Sequence, residues 1–178
     1  MRKPRIGFLS LTDCQGCEFV VLQLGEALID LEKTVDFSSF RLASSRKGSG
    51  PYDIFFIDGA VSTEEEEKAM KRLRSESNLL VALGSCATDG GINIIKNHLI
   101  LEGLNPSKLI YGTEDSETKP FVVPLDAVVA VDLKIPGCPI SLDEFRRCLQ
   151  SLLRGEVPRL KPLELKTVCG DCRSRGVE

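Results

Sequence analysis

Five short apolar runs punctuate this 178-residue chain, and three of them end at a glycine-flanked cysteine. The first leads into Asp13-Cys14-Gln15-Gly16-Cys17-Glu18, a later one into Gly84-Ser85-Cys86-Ala87, and the last into Pro136-Gly137-Cys138-Pro139. Helical periodicity fills the intervals between the runs. Apolar strands that alternate with helices call for a parallel sheet covered on both faces. The pattern therefore predicts a flavodoxin-like doubly wound α/β domain. Such sheets bind ligands beyond the carboxyl ends of their strands, where the strand order reverses. Three strands would deliver cysteine to that one edge.

Residues 5–11 read as the first strand, 13–17 as a turn, and 19–31 as a helix with Val20, Leu24, Ala27, Leu28 and Leu31 at helical spacing. A second strand follows over 35–42, a loop over 46–51 and a third strand over 52–59. Ser62 and Thr63 offer a helix cap, and Glu64 to Glu67 read as a solvated first turn facing the positive end of the helix dipole. That helix is expected to run to residue 75. A fourth strand over 78–84 ends at a loop carrying Cys86. A short helix over 92–100 precedes an irregular stretch through Asn105-Pro106 and Lys119-Pro120. The fifth strand, 128–135, ends at the Cys138 loop. Ser141 then caps a last helix to residue 154 that turns Leu142, Phe145, Cys148, Leu149 and Leu152 inward. The domain is expected to span residues 1–155. Pro158 and Pro162 mark 156–178 as an extended C-terminal tail with a second CxxC, Cys169-Gly170-Asp171-Cys172.

A net charge of −3 with scattered basic residues gives no electrostatic case for nucleic acid. The N-terminal apolar run is too short for a signal peptide or a membrane span, so a cytoplasmic protein without direct membrane insertion is expected. Seven cysteines is a high and odd count for a reducing compartment, where structural disulfides are rare. Ligation of a metal or cluster uses reduced thiolates and explains them better.

A CxxC with two distant single cysteines is one way an iron–sulfur cluster gathers its thiolates. Such a group carries net negative charge, which is costly to bury unless donors point at the sulfurs. Gly16, Gly84 and Gly137 would let backbone amides approach, and the helix start after Cys14 favours an anion. The candidate ligands are thus Cys14, Cys17, Cys86 and Cys138. A CxxC alone could also be a redox pair of the thioredoxin type. Cys148, on an apolar helix face, reads as a small core hydrophobe. His98 reads as solvated or packed. Glu18 has two readings, an acid placed for the helix dipole or a proton carrier beside the ligands. Cys169 and Cys172 cannot complete a tetrahedral site by themselves. They could join thiols of a partner, bind zinc across an interface, or form half of a second site.

Taken together the three cysteine motifs resemble the small subunit of nickel–iron hydrogenases, a wider family that includes the 20 kDa subunit of respiratory complex I. The resemblance covers residues 5–153. It implies a flavodoxin-like domain holding one 4Fe–4S cluster on Cys14, Cys17, Cys86 and Cys138, beside a nickel–iron centre in a partner large subunit. Complex I members carry adjacent cysteines in the first motif, whereas Cys14-Gln15-Gly16-Cys17 looks like hydrogenase. The chain looks most like small subunits of cytoplasmic multimeric hydrogenases, which pass electrons to a flavin- and NAD(P)-linked diaphorase or to ferredoxin. Ile140 replaces the second proline of the usual Pro-Gly-Cys-Pro-Pro and is expected to alter packing rather than ligation. Cys169-Gly170-Asp171-Cys172 is similar to the start of a second cluster region in longer relatives. Two other readings stand beside this one: a quinone- or membrane-linked relay subunit, and a zinc-binding structural module.

Overall fold

The computed structural model describes residues 2–46, 48–112 and 118–158. Its first strand, β1 (Arg5–Ser10), pairs with a neighbour on each side, so both of its edges are hydrogen-bonded. Gly7 is needed there because a Cβ would lie 2.2 Å from the Phe55 ring. The chain continues through α1 (Gly16–Leu22), α2 (Glu26–Glu32), β2 (Asp36–Ser39), β3 (Tyr52–Asp58), β4 (Val61–Thr63) and α3 (Glu64–Glu76). Then come β5 (Ser77–Leu83), α4 (Gly84–Asp89), a 3-10 turn (Gly91–Ile94), α5 (Ile95–Leu101) and α6 (Pro106–Tyr111). The last elements are β6 (Thr118–Val123), a 3-10 turn (Leu125–Ala127), β7 (Leu133–Ile135) and α7 (Leu142–Leu153).

Five strands form one parallel sheet in the order β2-β1-β3-β5-β7. From β1 the chain builds outward on one side with β2 and on the other with β3, β5 and β7. This is the flavodoxin-like order, with its reversal between β1 and β3. Period-2 alternation splits the core in two. Ile54, Phe56, Val81 and Leu83 face one way, with Phe8, Val20, Val21 and Phe145 of β1, α1 and α7. Phe55, Ile57, Leu80 and Ala82 face the other, with Met70 and Leu73 of α3. At the centre of the first layer Phe56 stacks on Phe8 at 4.9 Å and meets Phe145 edge-on at 5.4 Å.

Several expectations are corrected. The helix expected over 19–31 is two helices, because Gly25 leaves the helical region (φ 56°, ψ −124°). Only the first of them buries residues. The fifth strand shrinks to Leu133–Ile135: at Asp132 the side chain, not the backbone, accepts from Leu80 N (2.7 Å) and also pairs with Arg74. Part of the stretch read as irregular is β6, antiparallel to β4, with Asn97 bonded to both backbone groups of Val122 (2.7 and 2.8 Å). Pro120 is compatible with β6 because, among the described residues, that strand has a single partner. Glu66 is not merely solvated. It closes a capping box with Thr63, accepts from Ser62 N and reaches Thr12 Oγ1 at 2.8 Å. Replacing Thr63 by Ala should lower stability by about 1 kcal/mol, read as a lower thermal midpoint. An unchanged midpoint would show that the cap contributes nothing.

The described part of the tail ends at Pro158, so Cys169 and Cys172 lie outside the described residues.

Candidate functional site

Three turns meet beyond the carboxyl ends of β1, β5 and β7. The turn after β1 is zipped to the one after β3: Leu11 N donates to Asp58 O (2.9 Å), and Thr12 and Ala60 exchange backbone bonds (3.2 and 3.0 Å). Asp13 shapes the CxxC. One of its oxygens accepts from Ser10 Oγ (2.8 Å) and from Gln15 N (2.9 Å), and Gln15 takes a left-handed φ of 60°. Non-glycine residues rarely do so, and here the side-chain bond from Asp13 supports it. α1 starts at the next residue, carrying Cys17 and Glu18 in its first turn.

The turns after β5 and β7 are joined by Ser85 N donating to Gly137 O at 2.7 Å. Gly84 has φ +77°, and a Cβ there would lie 2.3 Å from Cys17 Sγ. Gly91 approaches from the other side, where a Cβ would be 2.9 Å from Cys86 Sγ. Cys86 thus sits in the first turn of a short helix rather than in the expected loop. The Ile140 backbone lies beside Cys17, where it favours the thiolate. The Ile140 side chain that stands where the usual proline would be is buried (3% exposed).

Cys17 is buried, Cys86 half-buried, and Cys14 and Cys138 exposed. Without a cation the environment disfavours thiolate: burial, then Asp58, push Cys17 up to about 12. Burial and then Asp58, Cys138, Asp13 and Cys14 push Cys86 to about 11, so all four cysteines and two carboxylates share one neighbourhood. Among the described residues no three Cys, His, Asp or Glu side chains close on one point as a single ion requires. Three of the thiols lie against glycines (Gly16, Gly84 and Gly91) and the Asn93 amide stands 3.6 Å from Cys86 Sγ, a setting that fits a polynuclear cluster better than a tetrahedral zinc ion.

Beside Glu18, which the sequence singled out, two further carboxylates that it did not, Asp58 and Asp13, lie near the thiols. Asp58, 2% exposed, accepts from Cys17 N (3.2 Å) and Gly59 N (2.8 Å), and burial followed by Asp13 raises it to about 6. The signal was an acid at the carboxyl end of an apolar strand, just before a glycine. The second oxygen of Asp13 is buried without a partner, and burial raises its pKa. Glu18, 2% exposed, is pushed up to about 7 by burial first, then by Asp58 and Asp13, with Arg41 opposing. Cys148 lies in the core at 1% exposure, and His98 is exposed. A separate cleft lined by Arg2, Lys3, Arg5 and Arg46 opens at the amino-terminal ends of β1 and β2, remote from the thiols.

Fold and site together define a class: a flavodoxin-like domain that gathers four cysteines at the switch-point edge of its sheet. The family model described as NADH ubiquinone oxidoreductase, 20 Kd subunit, matches residues 14–152, and the chain belongs to this oxidoreductase family. The chain is 32% identical over 175 residues to sulfhydrogenase 2 subunit delta of Pyrococcus furiosus, covering 95% of this chain and 69% of that one. It is 31% identical to a subunit of the F420-non-reducing hydrogenase (vhu) of Methanococcus voltae, covering 96% of this chain but only 62% of the relative's length. Among solved structures, a chain of an NAD+-reducing [NiFe]-hydrogenase in the H2-reduced state superposes with a TM-score of 0.80 at 28% identity, covering 90% of this chain and 96% of that one. The relatives are hydrogenase subunits, and the expected hydrogenase small-subunit resemblance holds.

Proposed function

We propose that this chain is the electron-transfer small subunit of a soluble, cytoplasmic [NiFe] hydrogenase, carrying one 4Fe–4S cluster on Cys14, Cys17, Cys86 and Cys138. The observation that carries the reading is the convergence of three separate cysteine-bearing turns on the switch-point edge of the sheet. When bound, the cluster would accept and pass on one electron at a time. Cys17 and Cys86 would hold its inner side, and Cys14 and Cys138 the side open to the surface. Phe19, two residues after Cys17, and Ile92 and Ile95, just after Gly91, leave large apolar surface exposed (54%, 73% and 54%). Exposed apolar residues of this kind, close along the chain to candidate ligands, suit a permanent partner, here the large subunit with the nickel–iron centre. A flavin- and NAD(P)-linked diaphorase, or a ferredoxin-linked module, would take the electrons onward. Among the described residues no helix is long and apolar enough to cross a membrane. Cys169 and Cys172 would form a second site only together with groups from a partner.

The relay is tested by adding hydrogen to the anaerobic complex and recording its EPR spectrum. The reading expects a reduced 4Fe–4S signal with hydrogen alone. A cluster that dithionite reduces but hydrogen does not would place it off the path from the nickel–iron site.

Glu18 belongs to the same proposal as a proton carrier. A carboxyl buried beside Cys17 with its pKa near neutrality can both take up and release a proton. Glu18→Gln should reduce hydrogen turnover by about tenfold or more, with iron content and the EPR signal unchanged. Undiminished turnover would leave Glu18 as a packing residue.

A further inference from the structure

The turn that follows α4 brings one side-chain amide against a candidate ligand. Asn93, half-buried in the 3-10 turn Gly91–Ile94, has its Nδ2 3.0 Å from Thr12 O and 3.6 Å from Cys86 Sγ. A carboxamide carries two N–H donors, so both acceptors can be served at once. The Thr12 carbonyl is not free to move. Thr12 is paired with Ala60, and its hydroxyl meets Ser62 and Glu66. That anchor fixes the orientation of the amide, and the second N–H is left pointing at sulfur.

We infer that Asn93 is a positioning residue for the cluster, tying the Cys86 turn to the CxxC turn and raising the reduction potential through its N–H on the Cys86 sulfur. The inference rests on the electron-relay reading above. Reduction adds one negative charge to a group already held by four thiolates. A donor dipole aimed at a ligand sulfur stabilises the reduced form more than the oxidised form, so the potential rises. The four sulfurs obtain such donors differently. Cys14 and Cys138 are exposed in this chain, and Cys17 lies beside the backbone of Ile140. At Cys86 the donor is a side chain, which a single substitution removes.

The test uses the intact complex with wild-type, Asn93→Ala and Asn93→Leu chains. Each is analysed for iron and sulfide, then titrated with dithionite through redox mediators while EPR follows the cluster. Ala removes the amide, and Leu removes its donors while keeping its bulk, so the variant that keeps full iron content decides the question. The expected result is full cluster content with a more negative midpoint. Uptake of the electron should be weakened by up to about tenfold, which is about 59 mV for a one-electron couple. Asn97→Ala is the control, since Asn97 bonds Val122 and not a cysteine. It should lower the thermal midpoint of the complex and leave the potential alone. An unchanged midpoint potential in a fully loaded Asn93 variant overturns the inference, and so does an equal shift in Asn97→Ala. A wild-type complex without iron and sulfide overturns the relay reading itself, and this inference with it.

Discussion

In a Cys86→Ser variant we expect the reduced 4Fe–4S signal to disappear, with loss of at least one iron per cluster, while Cys148→Ser keeps both. The two thiols are alike by one measure, since burial raises each to about 11. Their surroundings differ. Cys86 has Cys138, Asp13, Cys14 and Asp58 around it, and receives the Asn93 amide. Cys148 has apolar neighbours in the core and only Glu144 and Arg147 as charged influences. Serine at position 86 replaces a soft thiolate by a hydroxyl that does not ionise at neutral pH, and iron–sulfur clusters are held by thiolates. Serine at position 148 buries a hydroxyl where only apolar atoms pack, at a cost of about 1–3 kcal/mol. The first change is therefore read in iron content and the second in thermal stability. Equal loss of iron from both variants would mean that Cys86 acts only through packing.

The second large effect is expected at Gly84. Gly84→Ala combines a left-handed backbone (φ +77°) with a Cβ 2.3 Å from Cys17 Sγ and 3.3 Å from Gly137 O. The new Cβ cannot rotate away, so relief requires Cys17 to swing its Sγ aside or the β5 turn to move from the CxxC helix and the β7 turn. A left-handed alanine costs about 1–2 kcal/mol, and overpacking adds about 1–3 kcal/mol. Loss of the cluster should accompany the change, because the displaced atom is a ligand sulfur. Gly103 supplies the matched control: it has the same φ of +77°, with nothing within 4 Å of its would-be Cβ. Gly103→Ala should show only the backbone cost and retain all its iron. Similar behaviour of the two variants would remove the steric argument for a packed thiol opening.

Much of this arrangement is legible in the sequence, for a physical reason. Strands buried on both faces must be apolar throughout, so the runs at Ile6 to Leu9, Ile54 to Ile57 and Leu79 to Leu83 announce a parallel sheet. The topology then carries the cysteine motifs to one edge. The features that escaped depend on partners distant in sequence. Asp132 makes β7 start late because its carboxylate meets Leu80 N and Arg74. β6 is a strand only because β4 lies beside it. α6 had a local signal that went unread, Asn105 as cap with Pro106 in the first turn. At the site, glycines beside the cysteines could be read directly. Asn93 could not, since nothing in its neighbours along the chain says that it faces Cys86, and at Asp58 the chain marks an acid at a strand end before a glycine without saying that it faces Cys17.

The central claim is that the four cysteines hold a polynuclear iron–sulfur group. Anaerobic purification of the chain with its partners, followed by iron, acid-labile sulfide, nickel and zinc analysis, tests it most directly. The account predicts about four irons and four sulfides for this chain's cluster, and nickel that travels with a larger subunit. Zinc in place of iron and sulfide would contradict it, leaving a zinc-binding structural module on the same flavodoxin-like fold.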